Sequence, residues 1–280
     1  VDGSEYACAA LRWAEREARL RGYELIAVLA WGLFDQLHAG GGTSFDPDYG
    51  PSDAAAALAT VVEDTLGSEA AAAAELLVVC DLPARALLEV AQRAELLVVG
   101  PRGRGALREL VLGSVTQTCL HHAPCPLAVV RTSDAVPPGP RERERIVAAV
   151  DGSAPSARAL RWAIDDARAR GAMVQAVHVW DVPYSLSLSA AAVDYPAFER
   201  AARQLLDQAV DAAADDTTDV AVERILASGS PADVLLGAAR GADLVVVGSR
   251  GVGGFRGLLL GSVSQQVVHH AQCPAVVIPP

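Results

Sequence analysis

The chain has no lysine: all 23 basic residues are arginine. That absence excludes a Walker A loop, whose lysine binds phosphate, and it excludes Schiff-base chemistry. Long apolar runs are missing as well, none approaching the ~20 residues of a membrane span, so no membrane insertion is expected. Positive charge is scarce, and a net charge of −11 argues against a general nucleic-acid binder, which needs a basic face. The five cysteines, Cys8, Cys80, Cys119, Cys125 and Cys273, show neither CxxC nor metal-ligand spacing. They point to reduced, buried thiols in a reducing compartment, and from that to a cytoplasmic location. Only Val1 precedes Asp2, whereas a five-residue apolar run precedes Asp151, so the first strand is expected to be cut short at the start of the chain.

What is present is a repeat. Gly100-Pro-Arg-Gly103, nine residues, then Gly113-Ser114 recurs as Gly248-Ser-Arg-Gly251, nine residues, then Gly261-Ser262. Asp2-Gly-Ser4 matches Asp151-Gly-Ser153, Leu11-Arg-Trp-Ala14 matches Leu160-Arg-Trp-Ala163, and Trp31 matches Trp180, at an offset of 149. From Pro83-Ala84 against Pro231-Ala232 onward the offset is 148. A hydrophobic content of 51% fills two cores, and each half has the size of one domain. The expected organisation is a domain over 1–131, a Pro-rich then charge-alternating solvated linker over 132–145, and a second domain over 146–280.

The second half predicts its elements in order. Ile146 to Val150 is a buried strand, Asp151-Gly-Ser a turn able to cap a helix, and residues 156–170 an amphipathic helix ended by Gly171. Strands follow at Met173 to Trp180, Val220 to Leu226, Leu244 to Val247 and Ala275 to Ile278. Helices are expected over about 196–214, from Pro231, and from Ser262 to near Ala271. Strands alternate with helices, which predicts a parallel sheet covered on both faces. The first half repeats the plan with a larger irregular loop from Gly40 to Pro51.

In each half a glycine motif follows an apolar strand and leads into a helix, the arrangement in which backbone N–H groups and a helix N-terminus converge on an anion. With Asp-Gly-Ser after the first strand, G-x-x-G-x9-G-S after a later one, and both in tandem, nearly the whole chain resembles the universal stress protein family. The resemblance implies two doubly wound, Rossmann-like α/β domains, each a five-stranded parallel sheet of order 3-2-1-4-5 with helices on both faces. Ligands of such sheets sit at the switch point between strands 1 and 4. It further implies the ATP-binding branch, in which glycines and the following backbone hold triphosphate and ribose, the aspartate approaches the nucleotide, and backbone at the end of strand 2 meets the adenine edge. The implied second site is Asp151, Val179, Gly248, Gly251, Gly261, Ser262 and Val263. The implied first site is Asp2, Ala30, Gly100, Gly103, Gly113, Ser114 and Val115, with Ser264 and Thr116 as further hydroxyl donors. ATP is the implied cofactor, with Mg2+ accompanying it.

Blander roles compete at each position. Asp2 and Asp151 are either ligand contacts or helix caps; Ser4 and Ser153 read as caps; Arg102 and Arg250 meet either phosphate or neighbouring carboxylates. The pairs His121-His122 and His269-His270 read as helix C-terminal residues suited to the dipole. Gly261 either takes a positive φ or lets a ligand reach its backbone. Asp81, standing where the second half has Gly229, is expected to narrow the first pocket and weaken it.

The leading functional expectation is an ATP-binding regulator of the stress response and not an enzyme, any ATP hydrolysis being slow for want of a lysine clamp or an evident general base. The alternatives are a slow ATPase or nucleotidyl-transferring enzyme, and a scaffold independent of nucleotide. The expected partners are ATP, a regulatory protein, and a second copy of the chain, with the two domains packing as a pseudo-twofold pair. The apolar final strands Leu127 to Val130 and Ala275 to Ile278 are the expected pairing edges.

Overall fold

The computed structural model describes residues 1–32, 49–103, 112–131, 143–181, 194–214, 219–253 and 260–280. The chain divides into two compact units, Val1–Ala135 and Val136–Pro280. Most of the Gly40 to Pro51 loop, and residues 132–142 of the expected linker, lie outside the described residues.

The first unit contains, in order, α1 (Glu5–Arg21), β1 (Ile26–Trp31), α2 (Pro51–Leu66), α3 (Ser68–Ala73), β2 (Glu75–Cys80), α4 (Pro83–Ala91), β3 (Leu97–Val99), α5 (Ser114–His122) and β4 (Leu127–Val129). The second contains β5 (Arg145–Val150), α6 (Ala154–Arg170), β6 (Met173–Trp180), α7 (Tyr195–Ala213), β7 (Val222–Ser228), α8 (Pro231–Ala239), β8 (Leu244–Gly248), α9 (Ser262–His270) and β9 (Ala275–Ile278).

In the second unit the strand order is β7-β6-β5-β8-β9, all parallel, which is 3-2-1-4-5 by position in the repeat. Ile146 stands opposite both Val174 and Leu244, so β5 is flanked on both edges. Its faces are covered too. Helix α6 packs on β5 and β8, while α8 packs on β5 and β6. A strand enclosed on both faces needs a continuous apolar run instead of alternation, and Ile146, Val147, Ala148 and Val150 are all buried. Leu160 and Ile164 of α6, Leu206 of α7 and Leu244 of β8 are each 2% exposed or less.

Helix α6 shows how local chemistry fixes an element. The Ser153 hydroxyl accepts the Ser156 N–H at 3.2 Å as N-cap, and Gly171 closes the helix at φ 67, a conformation glycine takes without penalty. The first unit repeats both devices in α1, with Ser4 accepting from Ala7 N and Gly22 at φ 67. On the same two helices, at matching positions, lie the buried ion pairs Arg170–Asp166 (2.8 Å) and Arg21–Glu17 (3.6 Å).

The first unit departs from the five-strand expectation. Among its described residues are two parallel pairs, β1–β2 and β3–β4, in the places of strands 2 and 3 and of strands 4 and 5. Val1 holds the register of Val150, its N–H donating to the Val28 carbonyl. Where β5 stands in the second unit, the first has a cavity of about 600 Å³ between β1 and β3, walled by Ala7, Ala10, Leu11 and Ala14 of α1 and by Leu87 and Val90 of α4.

Ala163 is fully buried on the helix packed against β5. Ala163→Leu should lower the stability of the chain by ~1–3 kcal/mol through overpacking. Denaturant unfolding checks this, and an unchanged midpoint would contradict the tight seating of α6 on β5.

Candidate functional site

At the C-terminal ends of β5 and β8 the second unit gathers the sequence-predicted residues through backbone-level contacts. Asp151 follows β5 directly. Its Oδ1 accepts the Ser153 N–H at 2.9 Å, and its Oδ2 accepts the Val252 N–H at 3.0 Å from the glycine loop. The Ser153 hydroxyl lies 3.3 Å from the Arg250 carbonyl, to which it donates. The loop closes on itself when the Gly261 N–H donates to the Ser249 carbonyl at 2.8 Å. Ser264 then straps helix to strand, its hydroxyl donating to the Gly248 carbonyl at 2.6 Å. Thus Asp151, Gly248, Gly251 and Gly261 belong to one bonded cluster, with Ser262 and Val263 in the first turn of α9. Val179 stands one residue before the end of β6, opposite Ala227.

The first unit repeats the turn after strand 1, the loop closure and the helix-to-strand strap. Asp2 Oδ1 accepts the Ser4 N–H at 3.0 Å and the Ser4 hydroxyl at 2.6 Å. The Gly113 N–H donates to Pro101 O at 2.8 Å, and Thr116 Oγ1 donates to Gly100 O at 2.7 Å. Ser114 and Val115 open α5, and Ala30 stands opposite Val79 near the end of β1. Here the cavity between β1 and β3 extends to Asp2, Gly100, Gly103, Val115 and Thr116.

The three glycines of each motif turn out to have different reasons. A Cβ on Gly248 would lie 2.8 Å from Pro155 and 2.9 Å from Ser156 N, and one on Gly100 would lie 2.8 Å from Tyr6 Cβ. These glycines let the first helix of the unit approach its fourth strand. A Cβ on Gly251 or Gly103 would collide with the carboxylate of Asp151 or Asp2. The third glycine is otherwise. At Gly261 the nearest atoms would be Ser249 O at 3.4 Å and Arg250 Cα at 3.5 Å, and at Gly113 Arg102 Cα at 3.4 Å, which are ordinary contacts. Both residues are extended, with φ −74 and −65, so the positive-φ explanation is overturned. Each is the N-cap of its helix and makes no side-chain bond there, which leaves first-turn N–H groups for an outside acceptor.

Other expectations sort plainly. Ser153 and Ser4 are the helix caps, so Asp151 and Asp2 are not. Ser264 and Thr116 donate their hydroxyl protons to the strand carbonyls of Gly248 and Gly100. Asp81 accepts the Leu82 N–H at 2.6 Å and pairs with Arg85 at 3.5 Å. Gly229, its counterpart, sits at φ 123, so the two turns differ in backbone as well as side chain. Both histidine pairs occupy the last turns of α5 and α9. Sequence reasoning passed over His178, buried, with Nδ1 2.7 Å from the Val150 carbonyl just before Asp151. A histidine among the buried positions of an otherwise apolar stretch, Ala176 to Val179, was the available signal.

Burial by itself would raise the pKa of Asp151. Hydrogen bonds from Ser153, from Ser156 and from the Val252 N–H outweigh it and hold the carboxyl below the ordinary range.

The model of the universal stress protein family matches residues 1–131 and 142–279. A universal stress protein of Mycobacterium tuberculosis is 33% identical over 284 residues, covering 99% of this chain and 94% of its own. One from Mycolicibacterium smegmatis is 33% identical over 292 residues, covering 100% and 95%. Among solved structures, a universal stress protein from Archaeoglobus fulgidus covers 100% of this chain and 94% of its own, with a TM-score of 0.59 at 19% identity, a likeness of fold.

A carboxyl whose folded pKa lies below its unfolded value of ~3.9 contributes stability above that value and loses it as pH falls through the folded pKa. Asp151→Asn should therefore be less stable than the parent at neutral pH, with the difference closing as pH is taken below about 4. Urea unfolding across that range checks this. A difference that persists unchanged in acid would mean the charge of Asp151 is not what stabilises the turn.

Proposed function

From the premise that this chain belongs to the universal stress protein family, we propose that it is an ATP-binding regulator of the stress response whose behaviour changes with nucleotide occupancy. The observation that carries this reading is the third glycine. Internal packing accounts for Gly248, Gly251, Gly100 and Gly103, but gives Gly261 and Gly113, the N-caps of α9 and α5, no steric reason to be glycine. A ligand that approaches the helix N-terminus supplies one, because a triphosphate needs bare backbone N–H groups within hydrogen-bond reach.

In this reading Gly261, Ser262 and Val263, and in the first unit Gly113, Ser114 and Val115, hold phosphate by backbone. Val179 and Ala30 offer backbone to the adenine edge. Mg2+ accompanies the triphosphate. Hydrolysis is slow or absent: the chain has no lysine, and the Asp151 carboxylate already accepts from Ser153 and Val252, so it is not a free general base. The protein works in the cytoplasm as a homodimer and acts through a regulatory partner. No described helix is long and apolar enough to cross a membrane.

Calorimetry should find up to two ATP per chain. Gly261→Ala should weaken the second unit's site at least tenfold, ~1.4 kcal/mol, and Gly113→Ala only the first. Both variants should fold with losses under ~1 kcal/mol, since alanine fits the extended backbone. Retained affinity together with lowered stability in Gly261→Ala would make it a turn residue and defeat the phosphate assignment. For assembly, light scattering should give twice the chain mass; a strict monomer at high concentration would remove the homodimer.

A further inference from the structure

The edge strand of the repeat is dressed differently in the two units. In the second, β7 pairs with β6 and ends the sheet, and its Arg224 binds Asp207 at 3.3 Å and Asp211 at 2.6 Å, both on α7. Charge placed in this way keeps a sheet edge from adding a further strand. In the first unit β2 pairs with β1 alone among the described residues, and Leu76 stands where the second unit has Arg224. Leu76 is 39% exposed, Leu82, just past the strand, is 52% exposed, and Cys80 between them is exposed as well. The second unit has Ser228 in place of Cys80 and Ser230 in place of Leu82. One unit thus builds this part of the fold without apolar side chains at its edge, so the fold is not the reason the other has them.

The backbone of β2 is open on the same side. The Glu75 N–H donates to the Leu25 carbonyl at 2.9 Å, and the register with β1 is unbroken from Glu75 to Cys80. Bonding alternates along a parallel ladder, so residues 75, 77 and 79 bond toward β1, and Leu76, Val78 and Cys80 turn their N–H and C=O groups to the edge. No proline and no charge interrupts the run between Glu75 and Asp81.

We propose that the β2 edge is the surface through which two copies of the chain pair, antiparallel about a two-fold axis at Val78. Val78 then stands opposite Val78 of the second copy, and Leu76 opposite Cys80 of the second copy, each pair exchanging N–H···O bonds across the edge. The charges at the strand ends select this occupant. Glu75 is bound by Arg93 at 3.1 Å, and Asp81 pairs with Arg85 at 3.5 Å. The two-fold axis brings the Glu75–Arg93 pair of one copy against the Asp81–Arg85 pair of the other, so that each end of the joint edge holds two carboxylates and two guanidiniums. A strand with charge of one sign would leave half of these unmatched. The proposal rests on the homodimer in the reading above, not on ATP binding, and it places that homodimer on β2 instead of on the final strands.

Analytical ultracentrifugation and thiol cross-linking of the full chain test it. Leu76→Arg gives β2 the residue that β7 already carries, and it should raise the dimer dissociation constant at least ~tenfold. Its denaturant midpoint should match that of the parent, because the leucine is already partly in water. Leu76→Cys, treated with oxidised glutathione, should yield a disulfide-linked dimer through Cys80 of the second copy, two thiols losing two protons and two electrons as the glutathione disulfide is reduced to two thiols. Within one copy these positions lie about 13 Å apart along an extended strand, beyond the reach of a disulfide, so the linked dimer reports the antiparallel register. Adding Cys80→Ser should abolish the link. A dimer that survives Leu76→Arg, with no cross-link in Leu76→Cys, would overturn the β2 assignment and leave the homodimer standing. A parent that stays monomeric at every concentration would overturn both and leave the edge to a strand of another protein.

Discussion

The pairing of β5 between β6 and β8 is the constraint on which the second unit depends. A parallel strand held on both edges and covered on both faces has one register in which its apolar run is buried throughout. That register brings Asp151 to the point where β8 ends in Gly248. From there the distances are short enough for side chains to tie one loop to the other, and Ser264 binds the following helix back to the strand carbonyl. The site is thus a by-product of sheet order. Its parts lie about 100 residues apart in sequence and meet because the winding reverses at β5.

Much of this was legible in the sequence, for reasons that can be named. The bounds of α6 follow from Ser153 and Gly171, whose chemistry as cap and terminator is local. Met173–Trp180 and Ala275–Ile278 read as strands because runs rich in Val, Ile and Ala stand between turn residues. The strand order came through resemblance, since no local pattern encodes which strand neighbours which. The glycine motif was visible, but its meaning was only partly so. Spacing treats its three glycines as equivalent, whereas packing gives the first to a helix, the second to a carboxylate and leaves the third open. Contacts such as that between Gly251 and Asp151 join residues whose proximity is tertiary, and no window of sequence contains both.

The same limit explains the partners that were not foreseen. Asp81 accepts the N–H of Leu82 and pairs with an arginine four residues on. Ser264 and Thr116, in the first turns of short helices, donate to strand-end carbonyls that lie 16 residues away in sequence. His178 went unnoticed because two polar residues, Gln175 and His178, do little to the pattern of an eight-residue strand.

The unbroken ladder of the second unit bears on how that unit comes apart. Backbone hydrogen bonds run without interruption from β7 to β9, so a local opening has to break a continuous ladder. Five strands joined in this way open as one cooperative piece, and the loops at the carboxyl ends of β5 and β8 can move while the sheet beneath them stays closed.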